Sequence, residues 1–265
     1  MQQRHLDRWQ YFNELANTSR NYYIDYLKPF ITITPDTKVL EIGCGEGGNL
    51  LPFAELGCYV KGIDLNAGQI ENAKNFFARE GKNGDFCAEN FINYPPQQNE
   101  NKLFDLVLVH DCIEHIEPPY KEEFFLKIKP LMRDNGLVFF AFPAWQMPFG
   151  GHQQICKSKI SKIPFIHLLP VPLYRGLLKL GKEEQGAIDE LLSIKRSKMP
   201  VEKFERLVKQ TGYHIVDKQL WFINPHYEQK FHLKPRKLSK VIAQMPWIRN
   251  FFTTSAFYLL NFNHK

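Results

Sequence analysis

Four glycines within six residues, Gly43, Gly45, Gly47 and Gly48, follow the apolar stretch Val39-Leu-Glu-Ile42 and precede the amphipathic Asn49-Leu-Leu-Pro-Phe-Ala-Glu-Leu56. Glycine there permits positive φ and lets main-chain N–H groups approach a ligand with no Cβ in the way. The spacing Gly43-x-Gly45-x-x-Gly48 fits the dinucleotide fingerprint. Glu41 stands two residues before the first glycine, and Asp64 ends the next apolar stretch, Tyr59 to Leu65. An acid about twenty residues after such a loop accepts the hydroxyls of a ribose. Two histidines offer acid–base chemistry. His115 follows Glu114, and His152 sits in Gly150-Gly-His-Gln-Gln154. An imidazole titrates near neutrality and can take a proton from an acceptor hydroxyl. His115 has two alternatives: packing to hold its loop, or joining Asp111 and Glu114 around a divalent ion. The primary expectation is metal-free chemistry.

Strand and helix must alternate to bring these groups together. Apolar runs mark strands at 38–42, 59–64, 85–88, 104–110 and 136–142, with helices at 47–56, 67–80 and 119–133 between them. That alternation implies parallel pairing with right-handed crossovers, hence a doubly wound α/β sheet with ligands beyond the carboxyl ends of the strands. Before it, residues 6–30 repeat large apolar side chains at helical spacing, with Asn17-Thr-Ser19 as the expected break. After it, 201–213 is an amphipathic helix, 214–223 a strand and 254–262 a final strand.

Three segments carry a family resemblance: Val39-Leu-Glu-Ile-Gly-Cys-Gly45, Gly62-Ile-Asp-Leu65 and Phe104-Asp-Leu-Val-Leu-Val-His-Asp-Cys-Ile-Glu-His-Ile116. The chain resembles the class I S-adenosylmethionine (SAM)-dependent methyltransferases, on the small-molecule side that includes ubiquinone-biosynthesis O-methyltransferases. The resemblance covers residues 36–145 well and 197–224 loosely. It implies a seven-stranded, Rossmann-like mixed sheet whose last strand is antiparallel, with SAM as cofactor. By the same resemblance, Gly43 and Gly45 meet the methionine and ribose portion, and Glu41 is a further cofactor-binding residue. Asp64 with Leu65 takes the ribose. Glu89 accepts from the adenine amino group while the Asn90 N–H reaches the ring, with Asp85 as the alternative acid one register away. The His110 main chain meets the methionine amino group. The N-terminal helix closes over the cofactor, where Arg20 and Tyr22 are candidates for its carboxylate. Two rivals stay open: an NAD(P)-dependent oxidoreductase, which the glycine spacing alone supports, and a non-catalytic SAM-binding protein.

At 265 residues the chain is expected to form one domain. Residues 1–35 would be a helical cap, and 143–196 and 225–250 insertions over the acceptor site. The net charge of +6 is unevenly spread. Residues 150–182 hold six Lys or Arg and no acid, and 229–265 hold seven and no acid. Prolines 164, 170 and 172 divide the first insertion into two short helices about a turn. Its basic residues alternate with Ile163, Phe165, Leu173 and others, as Lys240 does with Val241, Ile242 and Trp247 in the second. An apolar wall with cationic margins suits a small amphipathic acceptor or a peripheral contact with an anionic membrane surface. The alternative is that the apolar residues fasten the insertions to the sheet. Nucleic acid is not the expected partner, since His110-Asp-Cys-Ile113 stands where amino-methylating nucleic-acid enzymes carry Asn/Asp-Pro-Pro-Tyr/Phe. Five cysteines without CxxC spacing suit buried free thiols. The first residues, Met1 to Arg8, lack the apolar core of a secretory signal, so the expected location is cytoplasmic.

Overall fold

The apolar runs pair as strands β1 (Lys38–Ile42), β2 (Tyr59–Asp64), β3 (Asp85–Ala88), β4 (Phe104–His110), β5 (Met132–Phe142), β6 (His214–Ile223), β7 (Arg236–Lys237) and β8 (Ser255–Asn261). The structure is a computed structural model describing residues 7–94 and 103–262. Residues 1–6, on which most of the signal-peptide reading falls, lie outside the described residues, as does Leu6 at the start of the expected helix. The sheet runs β3-β2-β1-β4-β5-β8-β6-β7. The pairs among β1 to β5 are parallel, and β8 lies antiparallel between β5 and β6. The sheet thus has eight strands where seven were expected. The addition, β7, is a two-residue edge strand contributed by the 225–250 excursion.

Alternation along the strands divides the core between the two faces. Leu40, Ile42, Val107 and Val109 pack with Phe124, Phe125, Phe204 and Leu207, from helices Lys121–Ile128 and Val201–Gln210. Val39, Val60, Leu106 and Leu108 pack instead with Phe12, Phe53, Ile70 and Phe77, from the N-terminal helix and helices Leu51–Glu55 and Ala67–Arg79. Central β8 is buried on both faces, which explains its unbroken run Ala256-Phe-Tyr-Leu-Leu260. Chain order reverses between β1 and β4, and that switch point puts the ligand crevice at their carboxyl ends.

Three local expectations change. The N-terminal helix does not break at Asn17-Thr-Ser19. Arg8–Thr18 continues through a π-helical turn, Ser19–Tyr23, into Ile24–Leu27. Thr18 bonds back to the Glu14 carbonyl at 2.8 Å instead of capping, while Asp7 caps the true start by accepting from the Gln10 N–H. The helix after β4 stops at Ile128 because Pro130 has no N–H to continue it, and β5 begins at Met132 rather than 136. In the first insertion the helices are Val171–Leu180 and Gln185–Ser197. Its prolines precede or open the first of them, where a missing N–H costs nothing, rather than forming a turn between the two.

The N-terminal helix closes the glycine loop physically. Arg8 makes a two-pronged contact with buried Glu46, and the Ser19 hydroxyl donates to the Asn49 carbonyl at 2.8 Å. A Cβ on Gly48 would stand 2.6 Å from the Phe12 carbonyl oxygen, so only glycine admits the helix this closely. The first insertion builds its own apolar cluster from Cys156, Ile166, Tyr174, Leu178, Ile188, Leu191 and Leu192. Among the described residues no helix is long and apolar enough to cross a membrane. All five cysteines are free, with Cys44, Cys58 and Cys156 buried.

Candidate active site

Beyond the carboxyl ends of β1, β2 and β4 lies a cleft of about 340 Å³ whose walls include Gly43, Asp64, Leu65, Glu89, Asn90 and His115. Asp64 ends β2, and its carboxylate accepts the Gly45 and Asn66 N–H groups, both at 2.8 Å. These bonds aim the carboxylate across the mouth of the glycine loop. At Gly45 φ is +53°, and the nearest atom to an added Cβ is 3.9 Å away, so the loop here is kept thin beside open space. Leu65 is 74% exposed, a large apolar side chain lying at the cleft wall without cover. Glu89 follows β3 and is tied down by its N–H to the Asp64 carbonyl. Asp85, its alternative, starts the strand instead, bonded to the Tyr59 hydroxyl and 3.4 Å from Lys61. The register Lys61↔Asp85 and Asp64↔Ala88 puts it at the far end from the cleft. Phe91, Ile92, Ile116 and Phe124 make the apolar side.

Glu41 and His110 are not in that wall. They lie under the N-terminal helix with Tyr23, which is 1% exposed and whose ring is 5.5 Å from His110. Glu41 accepts from the Asn49 side chain at 2.7 Å, but its second carboxylate oxygen, the Tyr23 hydroxyl and the Asn49 side-chain oxygen are buried with no hydrogen-bond partner among the described residues. Each orphan of this kind costs about 1–3 kcal/mol unless a ligand or water satisfies it. Burial pushes the Glu41 carboxyl up to about 8, against the Asn49 hydrogen bond and with help from Asp64. Arg20 and Tyr22 do not join this group. Arg20 pairs with Glu55 at 2.8 Å and Tyr22 donates to Glu228 at 2.7 Å.

The loop after β4 and the start of the first insertion meet at the opposite rim. Asp111 takes φ 45°, and its N–H bonds to the Ala141 carbonyl at the end of β5. The turn that follows, closed by the His115 N–H to the Cys112 carbonyl, puts His115 into the cleft and Glu114 beneath it. His152, itself at φ 57°, brings its Nε2 to 3.9 Å from the Glu114 Oε1, with its ring 4.9 Å from that of His115. Burial lowers His152 to about 3, reinforced by His115, His167 and Lys230, and lowers His115 against the pull of Asp111. Both shifts favour the neutral imidazole. Burial, then Asp111, holds the Glu114 carboxyl well above the ordinary carboxylate range. His167, elsewhere in the insertion, is a packed core residue, bonding the Trp145 carbonyl at 2.8 Å and 0% exposed.

Residues 39–136 match a family model described as a methyltransferase domain. Over those residues the chain is similar to methyltransferase domains. Among curated proteins it is similar to a ubiquinone biosynthesis O-methyltransferase of Pelagibacter ubique, 34% identical over 105 residues, or 39% of this chain and 41% of that one. The corresponding protein of Pasteurella multocida is 26% identical over 132 residues, 45% and 54% of the two chains. The chain thus spans about half the length of the curated relatives it matches. Among solved structures, an S-adenosylmethionine-dependent methyltransferase from Clostridium acetobutylicum aligns over 94% of this chain and 92% of its own, with 13% identity and a TM-score of 0.58. That likeness is one of fold.

Tyr23, Asn49 and Cys112 join the site without a sequence signal of their own. Tyr23 is displaced into it by the π-helical turn, which shifts the helix face by one residue from the Tyr22 expected there. Asn49 stands just after the glycines, where a polar residue opening an apolar helix would have been the cue. Among the sequence candidates, Gly43, Asp64, Leu65, Glu89, Asn90 and His115 share the cleft, Glu41 and His110 adjoin it under the helix, and His152 reaches its rim from the insertion.

Proposed function

We propose that this chain is a SAM-dependent methyltransferase that acts on an oxygen or nitrogen of a small, partly apolar molecule. The observation carrying this reading is one cleft lined both by a ribose-type carboxylate, Asp64, and by the imidazole of His115. The residues fit the cofactor. Asp64 and Leu65 would hold the ribose, Glu89 and the Asn90 N–H the adenine, and Gly43 and Gly45 the chain between. Glu41 and His110, beside the buried and unpartnered Tyr23 hydroxyl, would hold the amino-acid end. Bound SAM supplies a methyl group already activated on a sulfonium, so positioning provides much of the rate. His115 and His152 orient the acceptor and take up its proton where it must lose one. Relatives named as O-methyltransferases favour oxygen. Calorimetry should show SAM binding and no NAD binding, which separates the oxidoreductase. Turnover of SAM with a panel of phenols and carboxylates separates an enzyme from a SAM sensor.

Residues 1–265 act, on this reading, as one domain in a cytoplasmic setting, with 1–35 as cap. The 143–196 insertion then forms the acceptor wall through His152. Amide exchange across 150–182 is expected to slow when SAM and acceptor are added together, and equal protection with and without them removes the insertion from the acceptor site.

The outer faces of the insertions support a further contact, with an anionic membrane surface that would present an amphipathic acceptor. Phe165 meets Phe251, just after the second excursion, at 6.4 Å between ring centroids. Ile163, Phe165, Leu173, Val241 and Trp247 remain exposed beside Lys159, Lys162 and Lys240, while Leu178 is buried in the insertion's own core. Fastening to the protein thus accounts for part of the apolar content and leaves the outer part uncovered. Binding to vesicles rich in anionic lipid is expected to weaken with salt. It should lose about 1 kcal/mol for each of Lys159 and Lys162 changed to Gln. No binding at low salt would leave solvent as the only neighbour of this face.

A further inference from the structure

Between the N-terminal helix and the β6–β7 edge of the sheet lies a second groove, of about 440 Å³, which shares no wall residue with the cleft. Tyr22, Tyr26 and Phe30 line it from the helix and the turn after it, Asp217 and Trp221 from β6, and Lys237 from β7. The three aromatic residues recur at a spacing of four, which puts them along one helix face. Their rings are held from behind. Tyr26 packs on Phe139 and Phe257, each 5.6 Å between centroids, and Trp221 packs on Phe257 at 5.6 Å. Phe30 meets Tyr26 at 6.2 Å with the planes 55° apart, and Tyr22 meets Trp221 at 6.3 Å and 86°. Non-parallel rings make two aromatic corners instead of a closed stack.

Two polar atoms of this wall are buried with no hydrogen-bond partner among the described residues: the Tyr26 hydroxyl and the indole N–H of Trp221, a residue 7% exposed. A polar group taken out of water without a partner is unfavourable and calls for one from a ligand or water. Asp217 adds to burial in raising the Tyr26 hydroxyl's pKa, but makes no hydrogen bond of ordinary geometry with it. The half-buried Asp217 has no ion pair among the described residues, whereas Asp25, at the same groove, is paired with Lys28 at 2.6 Å. Trp221 is the register partner of Lys237, and Asp217 lies four residues back on the same face of β6. The groove therefore has an acidic end and a donor end, on the order of 13 Å apart.

We infer that this groove is a binding site for an organic ammonium ion, with its alkylated head at Tyr26, Phe30 and Asp217 and a hydrogen-bond-accepting tail toward Trp221 and Lys237. Aromatic faces attract a cation within about 6 Å of the ring centroid, and most strongly one with little hydration to lose. An alkylated ammonium is such a cation, and Asp217 supplies the counter-charge. A neutral apolar ligand would leave that carboxylate unanswered, and an anion at the same end would be repelled by it. The Lys237 ammonium stands at the other end, where an accepting tail would meet it together with the Trp221 N–H. The site is separate from the cleft, so the inference is independent of the methyl-transfer reading.

The probe for the head is choline, compared with the uncharged alcohol in which carbon replaces its nitrogen. Full-length protein is titrated with each, with and without SAM, by calorimetry and ligand-observed NMR. Choline should bind at one equivalent and about tenfold or more tighter than the alcohol, the scale of a desolvated cation–π contact. Asp217→Asn, which removes only the charge, should weaken choline about fivefold. Phe30→Leu should weaken it by a similar factor and Phe30→Tyr, which keeps the ring, should not; Phe30 is 39% exposed, so both should fold. Melting transitions and SAM titrations on the same samples should match those of the unaltered protein. Choline binding no tighter than the alcohol overturns the site, as does a preference for choline that either Asp217→Asn or Phe30→Leu leaves intact. Choline that SAM displaces would belong to the cleft and overturns it equally. Failure of SAM to bind while choline behaves as expected would remove the methyltransferase reading and leave this site standing.

Discussion

Replacing Asp64 with alanine is expected to weaken SAM binding by about 1.5–3 kcal/mol, the scale of hydrogen bonds to a charged group. The side chain ends β2 half-buried, and the Gly45 and Asn66 N–H groups hold it at 2.8 Å, so its carboxylate arrives oriented rather than free to rotate. A ligand hydroxyl meeting it finds a preorganised acceptor, and the truncated variant loses both the bond and the loop's anchor. Asp64→Asn separates these effects, because the amide oxygen can keep one backbone N–H while the charge is gone. Calorimetry with SAM, alongside thermal melting to establish folding, reads the outcome. Undiminished affinity in a folded Asp64→Ala protein would move the ribose site elsewhere.

The second large effect concerns stability without ligand. Glu41 is 1% exposed and burial raises its carboxyl to about 8 from an ordinary value near 4.5. The folded state therefore holds a proton that the unfolded chain has already released. Between roughly pH 4.5 and 8 stability falls as pH rises, because the native state binds more protons than the unfolded one. By pH 7 this amounts to on the order of 3 kcal/mol. Glu41→Gln keeps an oxygen for the Asn49 side chain and removes the titration. It should stabilise the ligand-free protein by that order at pH 7, with the gain vanishing below about pH 4.5. Denaturant unfolding at pH 4 and pH 7 makes the comparison. Equal midpoints for both proteins at pH 7 would mean that the carboxylate is satisfied as a charge in the fold. A loss of SAM affinity in the same variant would show why the acid is retained at a position where an amide is more stable, as at other functional sites held at the expense of stability.

Local chemistry in the sequence determined the alternating strands and helices, the parallel half of the sheet and the glycine loop with Asp64, while the antiparallel closing strand was implied by the family resemblance. Each locally determined feature depends on short-range patterning: apolar strands bounded by turns, a glycine run that cannot stay helical, and an acid where a strand ends. His115 was legible for the same reason, since the end of β4 fixes where the following turn emerges. Only the tertiary structure decided which polar groups meet. Tyr23 enters the site because a π-helical turn shifts the helix face by one residue, and nothing in Ser19-Arg-Asn-Tyr-Tyr23 announces that extra residue. Asp85 and Glu89 were separable only once β3 had a register against β2. The edge strand β7 has two residues, too short for any periodicity, and exists because β6 leaves an open edge beside it. His152 joins Glu114 and His115 through the fold of an insertion whose prolines start helices rather than bend a loop. Convergence of residues distant in sequence is set by packing of whole elements against a shared core, and that packing leaves no mark in the spacing of the residues it brings together.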